Sequence, residues 1–241
     1  MRRRLFVASS LAVLGLPGCG PAKQQLTNSL SGAFDAVEVL DYRLIGTHGT
    51  AKLYSEADID RVYRVNGLDT PSDERYVGIF RDHWASYRLP ISGLVERPQV
   101  FTLAALRAMP LLTQITRHDC VEGWSVIGKY RGVVLSTILA KVQPKPQARY
   151  LVFHCFDRDD AGNEYSESLD LQQAAHPQTM LALDLNDAPI DPDHGAPVRL
   201  RIPTQLGYKS AKWVRQIDVV SVLPGKGGYW EDRGYEWYAG I

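Results

Sequence analysis

The chain has 241 residues, with 27 basic and 27 acidic side chains and a formal net charge of zero. This balance argues against a nucleic-acid partner, because phosphate backbones bind surfaces with a basic excess. Beyond the N-terminus, no second hydrophobic segment approaches membrane-spanning length. About 220 residues follow the N-terminal segment, enough for one well-buried domain or two tightly joined ones.

Residues 1–19 have the pattern of an export signal. Arginines at positions 2 to 4 precede a mostly apolar run over residues 5–16, which is too short for a stable membrane anchor. The paired arginines, with Phe6 and an aliphatic residue after them, fit a twin-arginine signal, which carries proteins that are already folded. We therefore expect a periplasmic protein.

A lipid anchor is expected at Cys19, because residues 16–19 (Leu-Pro-Gly-Cys) resemble a bacterial lipobox. The alternative is an ordinary signal with an incidental cysteine. In either case, residues 20–35 are predicted to be a polar tether.

Short segments that alternate polar with apolar residues predict strands along most of the remaining chain. In chain order, these strands cover residues 37–45, 87–95, 100–102, 112–117, 148–156, 165–171, 180–185, 197–203 and 213–220. Helices or helical turns are predicted at residues 56–63, at 103–109 between the N-cap Thr102 and the stop at Pro110, at the end of 133–142, and at 171–175. Turns are predicted at residues 129–132, 157–162 and 186–190.

This mixture of many strands with a few short helices predicts an α+β domain over residues 36–224. Neither the glycine-rich phosphate loops nor the paired histidines of zinc sites occur in the sequence.

Cys120 is the most informative candidate residue. It stands in the run Arg117-His118-Asp119-Cys120-Val121-Glu122, and a cationic neighbourhood favours the thiolate, which ligates metals and attacks electrophiles. The alternatives at this point are a nucleophile, a metal ligand, or a disulfide with Cys155, since two leftover cysteines of an exported protein often pair.

Further polar residues lie in strand-like or loop surroundings. Arginine, lysine and loop amides together are typical of phosphate binding. Taken singly, each side chain has an ordinary structural alternative, namely a salt bridge, a solvated surface position or a satisfied imidazole. The candidates are His118, His176, His194, Arg199, Lys209, Ser210, Ala211 and Lys212.

The order of these motifs resembles the sulfite oxidase family, the oxidoreductases with a molybdopterin-binding domain. Five stretches carry the resemblance. Two of them, residues 176–179 (His-Pro-Gln-Thr) and 195–200 (Gly-Ala-Pro-Val-Arg-Leu), are similar to the family's cofactor-contacting stretches. Residues 88–98 (Arg-Leu-Pro-Ile-Ser-Gly-Leu-Val-Glu-Arg-Pro) resemble the opening stretch of the family, residues 117–125 resemble the segment with the metal-binding cysteine, and residues 207–213 (Gly-Tyr-Lys-Ser-Ala-Lys-Trp) resemble the pterin-phosphate loop. The Cys-Val-Glu-x-Trp form is similar to the periplasmic methionine-sulfoxide reductase branch.

The resemblance implies a sulfite-oxidase-type fold with mixed sheets in a single domain and a molybdenum–molybdopterin cofactor. Cys120 would be the protein thiolate on molybdenum, and a soft thiolate suits a metal already bound by sulfur. Arg199 and Lys212 would bind the phosphate. The other cofactor contacts implied by the resemblance are Asn66, His118, Cys155, His176, His194, Lys209, Ser210 and Ala211.

Two further residues are expected to act in catalysis. Tyr165 falls where sulfite oxidases carry an active-site tyrosine, whose phenol can shuttle a proton. The alternative is a strand aromatic that packs on the core. The family's Arg-Asn-His is replaced here by Val65-Asn66-Gly67, which removes two cationic groups from an anion pocket and argues against sulfite. Arg64 and Arg117 are the expected partial substitutes, and Arg117 is therefore expected to act on the substrate.

The expected function is oxygen-atom and two-electron transfer on a sulfoxide-like substrate, with sulfite oxidation coupled to cytochrome c as the alternative enzyme. A cofactor-free binding lipoprotein is the alternative that is not an enzyme. The chain has no Cys-x-x-Cys-His motif for haem attachment, so a separate redox partner is expected, either a membrane cytochrome of the b type or a c-type cytochrome. Residues 225–241 are rich in aromatic side chains and are predicted to pack on the domain.

Overall fold

The computed structural model describes residues 36–37, 39–40, 42–43, 49–67, 70–159 and 161–241. In this part of the chain, ten strands form two five-stranded sheets. The strands are β1 (Arg88–Gly93), β2 (Gln99–Thr102), β3 (Leu111–Cys120), β4 (Trp124–Val134), β5 (Tyr150–Arg158), β6 (Glu164–Asp170), β7 (Met180–Leu185), β8 (Ala188–Pro189), β9 (Arg199–Arg201) and β10 (Val214–Val220).

The first sheet has the strand order β2-β1-β10-β5-β6. Strands β1 and β10 are parallel, with Ile91 opposite Ile217, and the other neighbours in this sheet are antiparallel. The second sheet has the order β3-β4-β7-β8, and β9 also pairs with β7. Both sheets therefore depend on contacts between residues far apart in the sequence.

Four short α-helices connect the strands, namely α1 (Glu74–Arg81), α2 (Leu103–Arg107), α3 (Leu135–Val142) and α4 (Leu171–Ala175). The caps follow from sequence: the Asp73 carboxylate accepts from Arg75 N and Tyr76 N, and the Thr102 hydroxyl accepts from Ala105 N. Each cap satisfies a backbone donor that the first helical turn leaves unpaired, which contributes about 1 kcal/mol.

The main core contains buried side chains of both sheets and of α3, including Phe153, Ile217, Leu181 and Ile138. Burying a side chain of this size contributes roughly 1.5–3 kcal/mol. A smaller cluster around Tyr130 and Met180 packs on the second sheet. Because the core holds the sheets at fixed positions, residues at their strand ends have defined places.

Most predicted elements are confirmed, with three differences. The strand predicted over residues 37–45 is wrong, since those of its residues that the structure describes are helical, and Val37, Val39 and Leu40 are half exposed. The turn predicted at residues 129–132 lies within β4. Gly132 is needed there for close approach, because a Cβ atom would lie 2.1 Å from the Leu181 carbonyl oxygen.

The third difference concerns the end of β5, which continues through Asp157 to Arg158 where a turn is predicted. The export signal and tether predicted over residues 1–35 lie outside the described residues. Residues from Leu40 to Ile241 form one compact unit. Among the described residues, no helix combines the length and apolar character that crossing a bilayer requires.

Candidate active site

A long hairpin places Cys120 at the tip of the second sheet. Strands β3 and β4 pair over their whole lengths, from Leu111 opposite Val133 to Cys120 opposite Trp124. The three-residue turn between the strands ends at Gly123, whose φ of 86° favours glycine. The thiol is 8% exposed and lines a cavity of about 290 Å³.

Strand alternation separates the charged neighbours of Cys120. His118 lies on the buried face of β3 with Cys120, whereas the Arg117 side chain is exposed and pairs with Asp119 at 2.8 Å. The sequence expectation that Arg117 acts on the substrate finds no support in this geometry, because its side chain does not line the cavity.

Burial outweighs the cationic surroundings of Cys120: the charge of Arg199 favours the thiolate, but the pKa of the thiol is still raised. Burial raises its pKa, and the nearby charge of Glu122 adds to this effect. The His118 imidazole is also not cationic, because burial, with Arg199 and Arg201 beside it, lowers its pKa well below the usual value. A bound metal would favour the thiolate form of Cys120, because coordination deprotonates a thiol.

Two fully buried guanidinium groups lie near His118, two residues before this thiol. Arg199 and Arg201 are 0% exposed, and among the described residues no carboxylate lies within ion-pair distance of either. Arg199 donates to the Asn66 side-chain oxygen at 3.0 Å and to the His194 carbonyl at 3.1 Å. The Nε atoms of both arginines have no partner in the described part of the chain. A buried charge without a counter-ion is costly, so this region suits an anionic group.

Lys212 lies in the same region. Its ammonium donates to the carbonyl oxygens of Asn66 at 2.8 Å and of Asp193 at 3.1 Å, and it lies 4.0 Å from the centre of the Trp213 ring. These contacts connect the Asn66 loop, the Pro192–His194 turn and the segment after Lys209. Arg199 and Lys212, the phosphate ligands expected from the sequence, therefore lie close together, and both donate hydrogen bonds to Asn66.

The segment before Lys212 forms one wall of the cavity, through Gly207, Tyr208, Ser210 and Ala211. A Cβ atom at Gly207 would lie 2.5 Å from the His118 Nε2 atom, so only glycine allows this close approach. The Ser210 hydroxyl accepts from Ile202 N at 3.2 Å, and its own amide donates to the Gly207 carbonyl at 3.0 Å. The Ser210 amide is therefore already used within the loop.

Lys209 has a different place from the one its sequence position suggests. Its ammonium is fully buried between the carboxylates of Glu167 and Glu231 and does not line the cavity. Burial alone would lower its pKa, but these two carboxylates outweigh that effect and raise it. The expected contact of Lys209 with the cofactor is therefore replaced by a buried ion pair that holds the C-terminal segment.

The remaining expected cofactor ligands occupy three other environments. His194 donates from Nε2 to the Tyr63 carbonyl at 3.2 Å, and its own carbonyl accepts a hydrogen bond from Arg199. Cys155 is buried in β5, and both it and Cys120 are free thiols, so the alternative disulfide is absent from the described residues. His176 is half-buried and accepts from Gln178 N at 3.2 Å, outside the cavity lining.

Aromatic side chains form another wall of the cavity. Tyr165 donates its hydroxyl to the Tyr208 carbonyl at 2.6 Å, and its ring stacks on Tyr229 at 5.3 Å. Tyr229 and Trp230 belong to the C-terminal segment, which packs on β6 through Tyr229 N to the Ser166 carbonyl at 2.9 Å. Tyr165 thus lines the cavity as expected, with its proton directed to a backbone carbonyl.

Glu122 connects the Cys120 hairpin to the Asn66–Gly67 loop. One of its oxygens accepts from Trp124 Nε1 at 2.8 Å and the other from Gly67 N at 3.3 Å. The Trp124 hydrogen bond is the main reason that its pKa is lowered. An ionised carboxylate therefore lies on the cavity lining directly beside Cys120.

Sequence reasoning missed two residues of this region. Arg201 follows Arg199 by two positions, so it lies on the same face of β9, and this spacing is the signal that could have found it. Asp157 was assigned to a turn, but β5 carries it into the cavity lining. No motif in the sequence distinguishes this aspartate from its neighbours.

These groups fit the cofactor that the sequence implies. Arg199, Arg201 and His118 do not line the cavity, but Arg199 shares Asn66 with the cavity-lining Lys212. The unpartnered Nε atoms of the two arginines and both unpartnered nitrogens of His118 suit a buried phosphate-bearing ligand. Cys120 offers one soft ligand to a metal whose other sulfur ligands come with the cofactor. The cavity connects this thiol to the segment that ends at Lys212.

Comparisons with known proteins agree with this site. A family model described as the oxidoreductase molybdopterin binding domain matches residues 76–230. A protein of Azospira oryzae, named as a protein-methionine-sulfoxide reductase subunit, YedZ1, is 36% identical over 99% of this chain and 87% of that protein. The protein-methionine-sulfoxide reductase catalytic subunit MsrP of Ralstonia nicotianae is 33% identical over 66% of this chain.

The chain spans half the length of this MsrP relative. Among solved structures, the sulfane dehydrogenase SoxCD of Paracoccus pantotrophus is similar with a TM-score of 0.52 and 24% identity, over 73% of this chain and 46% of that one. This likeness supports the expected fold, and the relatives named as catalytic subunits imply a redox partner. The chain therefore belongs to the oxidoreductase molybdopterin-binding domain family, and it is a molybdopterin-dependent enzyme with the sulfite oxidase fold.

Proposed function

We propose that the chain is a catalytic subunit that reduces methionine sulfoxide or a similar sulfoxide. The names of the relatives support this substrate class. The observation that carries the choice is the carboxylate of Glu122, which lines the cavity beside Cys120.

The charge of Glu122 separates the two candidate substrates. Both of its oxygens accept N–H donors, from Trp124 and Gly67, as expected for an ionised carboxylate. Sulfite carries a negative charge and would be repelled here, whereas a sulfoxide has no net charge. Arg64 lies over the Trp124 ring and partly offsets the charge of Glu122. Arg117 does not, because it lies on the other face of β3.

The aromatic wall suits the product as well as the substrate. Tyr229 and Trp230 line the cavity, and a thioether sulfur beside an aromatic ring gains about 0.3–1.5 kcal/mol. Val121, at the tip of the hairpin, adds an apolar and exposed surface next to the thiol. These side chains favour the apolar groups that flank a sulfoxide.

The reaction is balanced by two electrons and two protons: the sulfoxide becomes a thioether, and its oxygen leaves as water. A molybdenum centre supplies oxygen-atom and two-electron transfer when it is bound. Cys120 would hold that centre, and Arg199 and Lys212 would hold its phosphate. Glu122 orients the hairpin by its hydrogen bonds to Trp124 and to the Asn66–Gly67 loop.

The electrons must come from a separate partner, and we propose a membrane cytochrome of the b type, or a c-type cytochrome. We also propose a periplasmic location and a lipid anchor at Cys19, on the basis of the twin-arginine and lipobox patterns in the sequence. A folded holoprotein would then cross the membrane with its cofactor in place.

A comparison of two substrates tests the proposed reaction. Holoprotein from a host that makes molybdopterin is assayed with methionine sulfoxide and a reduced viologen dye, and separately with sulfite and ferricyanide. We expect turnover with the sulfoxide and much slower oxidation of sulfite, and we expect Cys120→Ala to abolish turnover. Faster oxidation of sulfite than reduction of the sulfoxide would overturn the proposal.

A further inference from the structure

Basic side chains collect at the end of the first sheet that lies away from the cavity. Among the described residues, none of them forms an ion pair. The acidic residues of the same connections and strand ends are Glu96 and Asp170, so positive charge predominates there. This group, the basic end, consists of Arg43, Arg97, Lys141, Lys145 and Arg149.

The topology of the first sheet brings these residues together. The parallel strands β1 and β10 both end here, β6 ends here, and the antiparallel strand β5 begins here. Lys145 N donates to the Leu94 carbonyl, just past β1, at 2.9 Å, and Arg97 N donates to the last carbonyl of α3 at 3.0 Å. Arg149 N donates to the last carbonyl of β10 at 2.8 Å. The basic residues therefore follow the edge formed by these strand ends.

The N-terminal part of the chain reaches the domain at the same end. The Tyr42 hydroxyl donates to the carboxylate of Asp170, the last residue of β6. The amide of the following residue, Leu171, donates to the Arg149 carbonyl at 3.0 Å. The segment that carries the expected lipid site at Cys19 thus leads to a residue that is fixed close to Arg149.

An exposed apolar side chain adds to this surface. Val222 is 76% exposed and lies two residues past the carbonyl that Arg149 contacts. Basic side chains around an apolar one suit a bilayer with anionic headgroups. A single acyl chain binds a membrane only marginally, and a basic patch is the kind of second contact that makes such an anchor stable.

We propose that the basic end lies against an anionic membrane surface and acts together with the lipid at Cys19. Strand β5 separates this end from the cavity, because Tyr150 to Asp157 spans about 23 Å at roughly 3.3 Å per residue. The cavity then faces away from the bilayer, towards a substrate and a c-type cytochrome in solution. This inference rests on the membrane location given under the proposed function and is independent of the substrate.

Partition of the exported holoprotein into vesicles tests this surface. Phosphatidylcholine vesicles with and without phosphatidylglycerol are compared at low and at high salt, because salt screens exposed charges. We expect stronger, salt-sensitive binding to the anionic vesicles. In Arg97→Gln/Lys145→Gln this binding should be about 25-fold weaker, at about fivefold for each basic residue near the surface. The variant keeps the wild-type N-terminus, so a lipid at Cys19 contributes equally to both proteins.

Arg61→Gln/Arg81→Gln is the matched control, because both side chains are exposed and lie elsewhere. Arg61 follows Asp60, whose amide donates to the Ile127 carbonyl of the Cys120 hairpin at 3.1 Å. Arg81 is the last residue of α1 and precedes the start of β1, at the opposite end of the first sheet. We expect this variant to bind both kinds of vesicle like the wild type.

Nitroxide labels at two exposed valines measure the orientation. On anionic vesicles, a label at Val222→Cys should be shielded from a water-soluble relaxation agent. A label at Val62→Cys should stay accessible, since Val62 is 74% exposed and follows Arg61.

Equal partition of the two double variants would overturn the proposal, and it is the outcome expected if the basic end binds an acidic protein instead. Shielding of Val62 in place of Val222 would also overturn it. Neither measurement involves turnover, so a failure of the proposed sulfoxide reduction leaves this test unaffected.

Discussion

The side-chain oxygen of Asn66 accepts a hydrogen bond from Nη2 of Arg199 at 3.0 Å, although the two residues are 133 positions apart. The carbonyl of the same Asn66 accepts from Lys212 at 2.8 Å. One loop residue thus accepts hydrogen bonds from both cations that we propose as the phosphate ligands. An anionic ligand would offset the cost of burying these guanidinium groups.

Arg199→Gln should empty the site of cofactor. Loss of the guanidinium removes a charge-assisted contact worth about 1.5–3 kcal/mol, which corresponds to a decrease in affinity of roughly 10- to 100-fold. Pterin and molybdenum contents per chain measure the effect. Arg107→Gln is the control, because Arg107 pairs with Asp184 outside the cavity. Full cofactor content in Arg199→Gln would contradict the phosphate assignment.

The buried ion group of Lys209, Glu167 and Glu231 should respond asymmetrically to substitution. Lys209→Met leaves two buried carboxylates without a cation and should lower the free energy of unfolding by about 3 kcal/mol or more. Glu231→Gln leaves the Lys209–Glu167 pair intact and should cost about 1 kcal/mol or less, because the charge of Glu231 opposes ionisation of Glu167. Urea unfolding of both variants measures the difference, and equal losses would disprove this asymmetry.

The cofactor-free protein should lose stability as the pH rises from about 4 to about 7. The pKa of Asp157 is 3.8 in an unfolded chain and about 7 in the fold, so its contribution is fully present below pH 4 and disappears as the pH passes 7. The change is on the order of 4 kcal/mol, at about 1.4 kcal/mol for each pH unit between the two pKa values.

Other buried carboxyls such as Glu167 titrate in the same direction, so the informative quantity is the difference between variants. Denaturant unfolding at several pH values should show a smaller slope for Asp157→Asn than for the wild type. Parallel curves for the two proteins would show that Asp157 has an ordinary pKa.

Arg117→Ala should retain turnover with methionine sulfoxide within about twofold, because surface substitutions away from a site have small effects. The side chain of Arg117 is half exposed and pairs with Asp119 on the face of β3 opposite to Cys120. Steady-state rates of the variant and the wild type measure this. A large rise in KM would restore the catalytic role expected from the sequence.

The sequence indicates the segments of the site better than the direction of each side chain. The strand leading into Cys120 follows from alternation, which also explains why His118 is buried and Arg117 exposed. Lys209 and Lys212 look equivalent in the motif. Only the fold shows that Lys209 forms ion pairs with Glu167 and Glu231. Their carboxylates come from β6 and from the C-terminal segment.

Asp157 could not be identified from the sequence for a similar reason. Its Asp-rich surroundings are typical of a turn, and its entry into the cavity depends on the irregular pairing of β5 with β6. Gly132 likewise looks like a turn residue, while its actual role is to let β7 approach β4. Contacts between distant strands decide both cases.

The most direct test of the account is X-ray absorption at the molybdenum edge of the holoprotein and of Cys120→Ala. Arg199, Lys212 and the other cofactor contacts remain in the variant, so it should still bind the metal. We predict that molybdenum in the variant has one sulfur neighbour fewer than in the wild type. An unchanged number of sulfur neighbours, or a wild-type protein without molybdenum, would contradict the assignment of Cys120 as the metal ligand.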